Sequence, residues 1–133
     1  MLLRKYMSRI GIGAATVDLV LEKDSYYPGE TVKGNFFIKG GTIKQSIKKL
    51  QCDLIKITKM GQQKVYEIIA TTTILTHEII DSDDRAKIPF EFALPENLTS
   101  STDSLTYRFK STLVFSKGVD SLDHDHIQIL TKS

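Results

Sequence analysis

The chain is 133 residues long and carries 18 Lys and Arg against 16 Asp and Glu, a formal net charge of +2. That length suits one domain, and a single cysteine excludes a disulfide-stapled secreted scaffold. No apolar run approaches the roughly 20 residues of a membrane-spanning helix, so we expect a single-domain protein of a reducing compartment, the cytoplasm.

The first ten residues place Leu2, Leu3, Tyr6, Met7 and Ile10 at helical spacing, with Arg4, Lys5 and Arg9 opposite them. Gly11 and Gly13 end the pattern. The basic residues interrupt what a signal peptide would need as an unbroken apolar stretch. The expected organisation is a short amphipathic helix with its glycine stop over 1–13, followed by one domain over 14–133. An isolated helix needs ~12–15 residues to be even marginal. Docking of Leu3, Tyr6, Met7 and Ile10 on the domain or on a second copy is therefore preferred to a membrane-surface anchor.

From Ala14 onward the period becomes two. Val17, Leu19 and Leu21 alternate with polar neighbours, and after a turn Val32, Gly34, Phe36 and Ile38 do the same. Leu50, Cys52 and Leu54 form a third set, and Val65 to Leu75 is rich in the β-branched residues that favour strands. Further sets are Ile88, Phe90, Phe92 and Leu94, then Tyr107, Phe109, Leu113 and Phe115, then Ile127 and Ile129. About seven strands result. Alternation gives each sheet one buried and one wet face, the antiparallel case, and two such sheets face to face make an all-β sandwich of immunoglobulin-like type. Pro89 has no N–H to donate, which places its strand at a sheet edge or makes Pro89 its start.

Gly11-Ile12-Gly13-Ala14-Ala15-Thr16-Val17-Asp18, together with Val20 to Lys23 and Asp24-Ser25-Tyr26-Tyr27-Pro28-Gly29-Glu30-Thr31-Val32-Lys33-Gly34, resembles the N-terminal half of the bacterial sporulation-control family, the Spo-zero-M proteins. Further agreement lies in Ile38-Lys39-Gly40-Gly41, Gln45, Ile47, Ile88-Pro89-Phe90-Glu91-Phe92, Leu94-Pro95 and Asp123-His124-Asp125. The resemblance implies an arrestin-like protein of two tandem β-sandwiches, of which this chain supplies the first. It also implies a non-enzymatic interaction or scaffold module in sporulation control. Independently of the family, Pro28 presets φ near −65° and Gly29 supplies the positive φ of a type II turn, here expected to close a hairpin. Gly34 inside the next strand points to a bulge or a close backbone approach.

The most metal-like stretch is Asp123-His124-Asp125-His126. On a strand His124 and His126 would share a face, as two zinc ligands might, with His77 the only other histidine. Asp recurs at the positions of Asp123 and Asp125 in the resembled family, with varied residues between, which favours an exposed acidic turn instead. Glu78, Asp81, Asp83 and Asp84 do not make an EF-hand, because Ala86 and Phe92 stand where its Gly and Glu belong. Gly11-Ile12-Gly13 precedes a strand, unlike a dinucleotide fingerprint, and Lys39-Gly40-Gly41 lacks phosphate-loop spacing. Cys52 falls in a core-facing set and is expected to be buried and inert. No hydrolase motif occurs. We therefore expect no catalytic residues, no cofactor and no metal.

Charge is uneven along the chain. Residues 31–64 hold eight Lys against Asp53 alone, a charge of +7, while residues 65–133 hold six basic and eleven acidic residues, −5. The resembled family is acidic where Lys44, Lys48 and Lys49 stand here. These lysines are thus candidates for a basic face that meets an anionic partner, an acidic second copy or an anionic membrane surface. Nucleic acid is disfavoured, since only four Arg are present. The functional expectation is protein–protein recognition through a strand edge or loops, with self-association as a corollary. Binding to an anionic membrane or ligand is the alternative.

Overall fold

The computed structural model describes residues 13–132. They form eight strands: β1 (Thr16–Leu21), β2 (Ser25–Tyr26), β3 (Thr31–Lys39), β4 (Gln45–Met60), β5 (Gln63–Ile80), β6 (Arg85–Ala93), β7 (Leu105–Phe115) and β8 (Ser121–Ile129). None of the described residues is helical. The helix expected over 1–10, with Leu3, Tyr6, Met7 and Ile10, lies outside the described residues.

The strands make a three-stranded sheet, β1-β3-β6, and a five-stranded sheet, β2-β8-β7-β4-β5. Every neighbouring pair is antiparallel except β2 with β8. The sheets face each other because their alternating apolar residues need a common interior. Val17, Leu19, Val32, Phe36 and Phe90 of the smaller sheet share one buried cluster with Leu50, Leu54, Phe109, Leu113 and Ile129 of the larger. Phe109 bridges the layers. Its ring lies edge-on to Phe90 and to Phe92, each at a centroid distance of 5.5 Å.

Three features depart from simple alternation. β2 is the eighth strand, and two residues are too few to show a period. In β4 the register against β5 shifts at Leu50/Gln51 and again at Leu54/Ile55. The extra residues, Ile74 and Ile69, are on β5, while β4 keeps its alternation: Cys52 and Leu54 join the core, and Asp53 and Ile55 are buried outside it on the opposite face. β3, by contrast, keeps an unbroken register with both neighbours. Gly34 there is a close approach and not a bulge: a Cβ on it would stand 2.3 Å from the Val20 carbonyl oxygen and 3.0 Å from Leu21 Cα.

The Pro28-Gly29 turn is not a hairpin turn. Glu30 N–H donates to the Tyr27 carbonyl at 3.1 Å and Gly29 has φ +83°. The strands it joins, β2 and β3, belong to different sheets. It is a crossover between layers, fixed by Gly29 N–H to the Pro95 carbonyl at 3.2 Å and Leu94 N–H to the Glu30 carbonyl at 2.9 Å. Lys23 and Glu30 pair beside it, and Glu30 also accepts from Tyr27 N–H at 3.0 Å. These two hydrogen bonds, led by the one from Lys23, hold the Glu30 carboxyl below its ordinary range.

Candidate functional site

A two-layer sandwich has four strand edges, and each exposes unpaired backbone groups unless something covers it. The edge of β1 is closed by side chains from β8. Leu19 N–H donates to Asp123 Oδ2 at 2.7 Å, and Ser121 Oγ donates to the Ala15 carbonyl at 2.5 Å. Both Asp123 and Ser121 are buried. β2 is only two residues long. β6 carries Arg85, Lys87 and Glu91 on its exposed positions and has Pro89 in its middle, as an edge strand can.

β5 has none of these protections over most of its length. It spans 18 residues at the edge of the larger sheet, and Ile68 to His77 contains no Lys, Arg, Asp or Glu. Val65, Tyr66, Ile68 and Ile79 are 49%, 54%, 61% and 61% exposed. The apolar surface continues from the edge onto the outer face of β4. Ile55 lies opposite Ile68, and Ile57 opposite Tyr66. Both isoleucines are buried yet stand outside the main core cluster. The Arg108 guanidinium lies 5.5 Å from the centre of the Tyr66 ring and covers part of this patch.

The residues singled out from sequence are dispersed. Asp123-His124-Asp125-His126 is not an exposed turn, because it lies inside β8, where Asp123 is buried. His124 pairs with Lys110 and His126 with Arg108 on β7, so cations flank both imidazoles. His77 is on β5, with β7 and β4 standing between β5 and β8. That spacing of three strands, about 14 Å, is far beyond a shared zinc ion. Among the described residues no three His, Cys, Asp or Glu come together as a metal site.

The +7 segment is not one face. Lys33 and Lys39 are on β3, and Lys48, Lys49, Lys56 and Lys59 on β4, in the other sheet. Lys33 also lies 3.8 Å from Glu91. Lys44 sits exposed in the β3–β4 connection beside Lys117 at one corner of the sandwich. Lys48 is the extra residue of a bulge between Ile47 and Lys49, and Lys49 is half-buried opposite Val114. Cys52 is 1% exposed, and burial pushes its thiol up to about 12. Its sulfur accepts from Ser111 Oγ at 3.8 Å. The thiol is not a nucleophile at neutral pH.

These features define a class: an all-β protein of two facing antiparallel sheets, with a long apolar strand left open at one edge. The chain belongs to the Spo0M family, since residues 3–133 match the family described as SpoOM protein. It is 31% identical over 128 residues to the sporulation-control protein Spo0M of Bacillus subtilis (strain 168), covering 93% of this chain and 50% of that protein. The crystal structure of Spo0M from Bacillus subtilis superposes with a TM-score of 0.83 at 30% identity, covering 91% of this chain and 51% of that one. The chain thus spans about half the length of these relatives. Among the described residues no helix is long and apolar enough to cross a membrane.

Proposed function

We propose that this chain is an arrestin-like, non-enzymatic interaction module of a cytoplasmic sporulation regulator, and that it engages a protein partner by strand addition at β5. The family and its sporulation-control relative support the regulatory part of this reading. A span of about half the relatives' length supports one sandwich of a tandem pair. The observation that carries the binding mode is the contrast among the edges: β1 is capped by β8, β6 is interrupted by Pro89, and β5 is long, apolar and open. An added strand satisfies the unpaired backbone groups of β5 and buries Val65, Ile68 and Ile79. Burial of apolar side chains contributes roughly 25 cal/mol per Å² before the costs of association. The spread of lysines over both sheets gives less support to an anionic surface as the partner.

The test compares affinity isolation from the native host using the wild-type chain, a Val65→Lys/Ile79→Lys variant of β5, and a Lys87→Glu variant of β6. Quantitative mass spectrometry is expected to show a defined set of proteins lost with the β5 variant and retained with the β6 variant. An unchanged set in the β5 variant would overturn the reading.

A further inference from the structure

Charge that scatters along the chain collects across the strands of the larger sheet. Each strand alternates, so one set of side chains faces the core and the other forms the outer face. Because Leu50, Cys52 and Leu54 point into the core, β4 sends Lys49, Asp53, Ile55, Ile57 and Lys59 outward. Strand pairing fixes their neighbours. On β5, Ile68 opposes Ile55, Tyr66 opposes Ile57 and Lys64 opposes Lys59. On β7, Arg108 opposes Ile55 and Lys110 opposes Asp53, with His126 and His124 beside them on β8.

The acids of these strands go the other way. Glu67 and Glu78 of β5 oppose Lys56 and Ile47, which are core-side positions of β4. Asp123 and Asp125 of β8 oppose Ser111 and Phe109, both buried. β7 carries no acid. Among the described residues, Lys49, Lys59, Lys64, Arg108 and Lys110 therefore share the outer face with a single carboxylate, Asp53. That carboxylate is 6% exposed and accepts from Gln51 Nε2 at 3.3 Å.

The centre of the face is apolar. Ile55 and Ile57 lie flush in it, and the exposed Tyr66 and Ile68 flank them. Arg108 borders this strip with its guanidinium against Tyr66, and its buried Nε has no hydrogen-bond partner among the described residues. No described strand packs on this side, since the smaller sheet stands on the core side.

We propose that the outer face of the five-stranded sheet docks an acidic segment of a partner protein. Its carboxylates meet the five cations, and its apolar side chains cover the strip of Ile55, Ile57, Tyr66 and Ile68. Lys49 and Lys59 are ten residues apart on β4, about 33 Å, which an extended segment of about ten residues spans. Charge complementarity names this occupant. Nucleic acid would find only one arginine on the face for base edges, and a lipid surface would reach Tyr66 and Ile68 but not the flush isoleucines. The inference does not rest on strand addition at β5, because it uses side chains of the sheet face and not the backbone of its edge.

Fluorescence anisotropy tests the surface with a labelled peptide of about twelve residues, rich in Asp and Glu and carrying Leu and Phe. The peptide is expected to bind the chain, and to bind more weakly as salt rises. Arg108→Gln/Lys110→Gln is expected to weaken it at least about tenfold, and Lys33→Gln/Lys87→Gln, which removes the same charge from the smaller sheet, less than about twofold. A circular-dichroism melt checks that each variant folds. If Arg108→Gln/Lys110→Gln does not, Lys59→Gln/Lys64→Gln at two exposed positions takes its place with the same expectation. Methyl NMR locates the contact: the δ1 methyls of Ile55, Ile57 and Ile68 are expected to shift, and those of Ile38 and Ile88 to stay. Equal weakening in the two sheets' variants, or methyl shifts confined to the smaller sheet, overturns the proposal. So does a peptide that stays unbound at about 1 mM and low salt, whether or not phosphatidylglycerol vesicles or single-stranded DNA bind in its place.

Discussion

Removal of the Asp123 carboxyl is expected to reopen the β1 edge, which β8 closes with side chains. Leu19 N–H points away from β3 and donates to Asp123 Oδ2 at 2.7 Å, between residues 104 apart in sequence. Leu19 is 2% exposed and Asp123 0%, so water cannot readily take over the bond. Asp123→Ala leaves a buried amide without an acceptor, which costs about 1–3 kcal/mol. At ~4 °C per kcal/mol for a domain of this size, the melting temperature is expected to fall by about 4–12 °C. Asp123→Asn keeps an acceptor oxygen of the same shape and is expected to lose less. The local assay is amide hydrogen exchange. In the wild type, Leu19 N–H is expected to be protected although it lies on an edge strand, because its acceptor is the Asp123 side chain. In Asp123→Ala its exchange is expected to accelerate at least tenfold relative to the core amide of Phe109, and Asp123→Asn is expected to retain most of the protection. Equal Leu19 protection in the wild type and Asp123→Ala would refute the claim that β8 closes the β1 edge.

Other consequences follow from the same geometry. Gly34→Ala drives a Cβ to 2.3 Å from the Val20 carbonyl and is expected to destabilise the β1–β3 pair by more than about 1–3 kcal/mol, read as loss of denaturant midpoint. The Cys52 thiol, pushed up to about 12, is expected to react with a disulfide reagent at pH 8 at least about a thousandfold more slowly in the native protein than in denaturant. For Glu30, the lowered folded-state value means its contribution is complete above the unfolded carboxylate range and disappears as pH falls through the folded value. Glu30→Gln is therefore expected to lower the melting temperature at pH 7 but to converge with the wild type once pH has fallen through the lowered folded-state value, beneath the ordinary carboxylate range. Convergence at pH 7 would show that the Lys23–Glu30 pair contributes nothing measurable.

Strand existence was readable wherever one face is buried without interruption. Val17 and Leu19 on β1, Val32, Phe36 and Ile38 on β3, and Tyr107, Phe109, Leu113 and Phe115 on β7 are all buried, as their period of two requires. β4 was only partly readable, because Asp53 and Ile55 on its outer face are buried as well as Cys52 and Leu54 on its inner one. Strand order was not readable from local pattern. Pro28-Gly29 specifies a turn whichever strands it joins, so the crossover between sheets is invisible in the turn itself. The same limit applies to charge. Lysines contiguous along the chain scatter because β3 and β4 enter different layers, whereas Arg108, Lys110, His124 and His126 converge from separate segments through β7–β8 pairing. The Ile- and Thr-rich composition of β5 was plain, but its place at the edge is a property of the whole sheet. The family resemblance in the first forty residues covers positions that set turns and close backbone contacts, and those identify a fold more directly than a binding surface.

The central claim is that β5 is the edge through which this sandwich recognises other chains. Site-specific photo-crosslinking in living cells tests it most directly, with the photoreactive residue placed in turn at Ile68 on β5, Lys87 on β6 and Val20 on β1, all on the outer strands of their sheets. The account predicts discrete protein adducts from Ile68, to a second copy or to another protein, and none above background from Lys87 or Val20. Adducts from Lys87 or Val20 with Ile68 silent would contradict it.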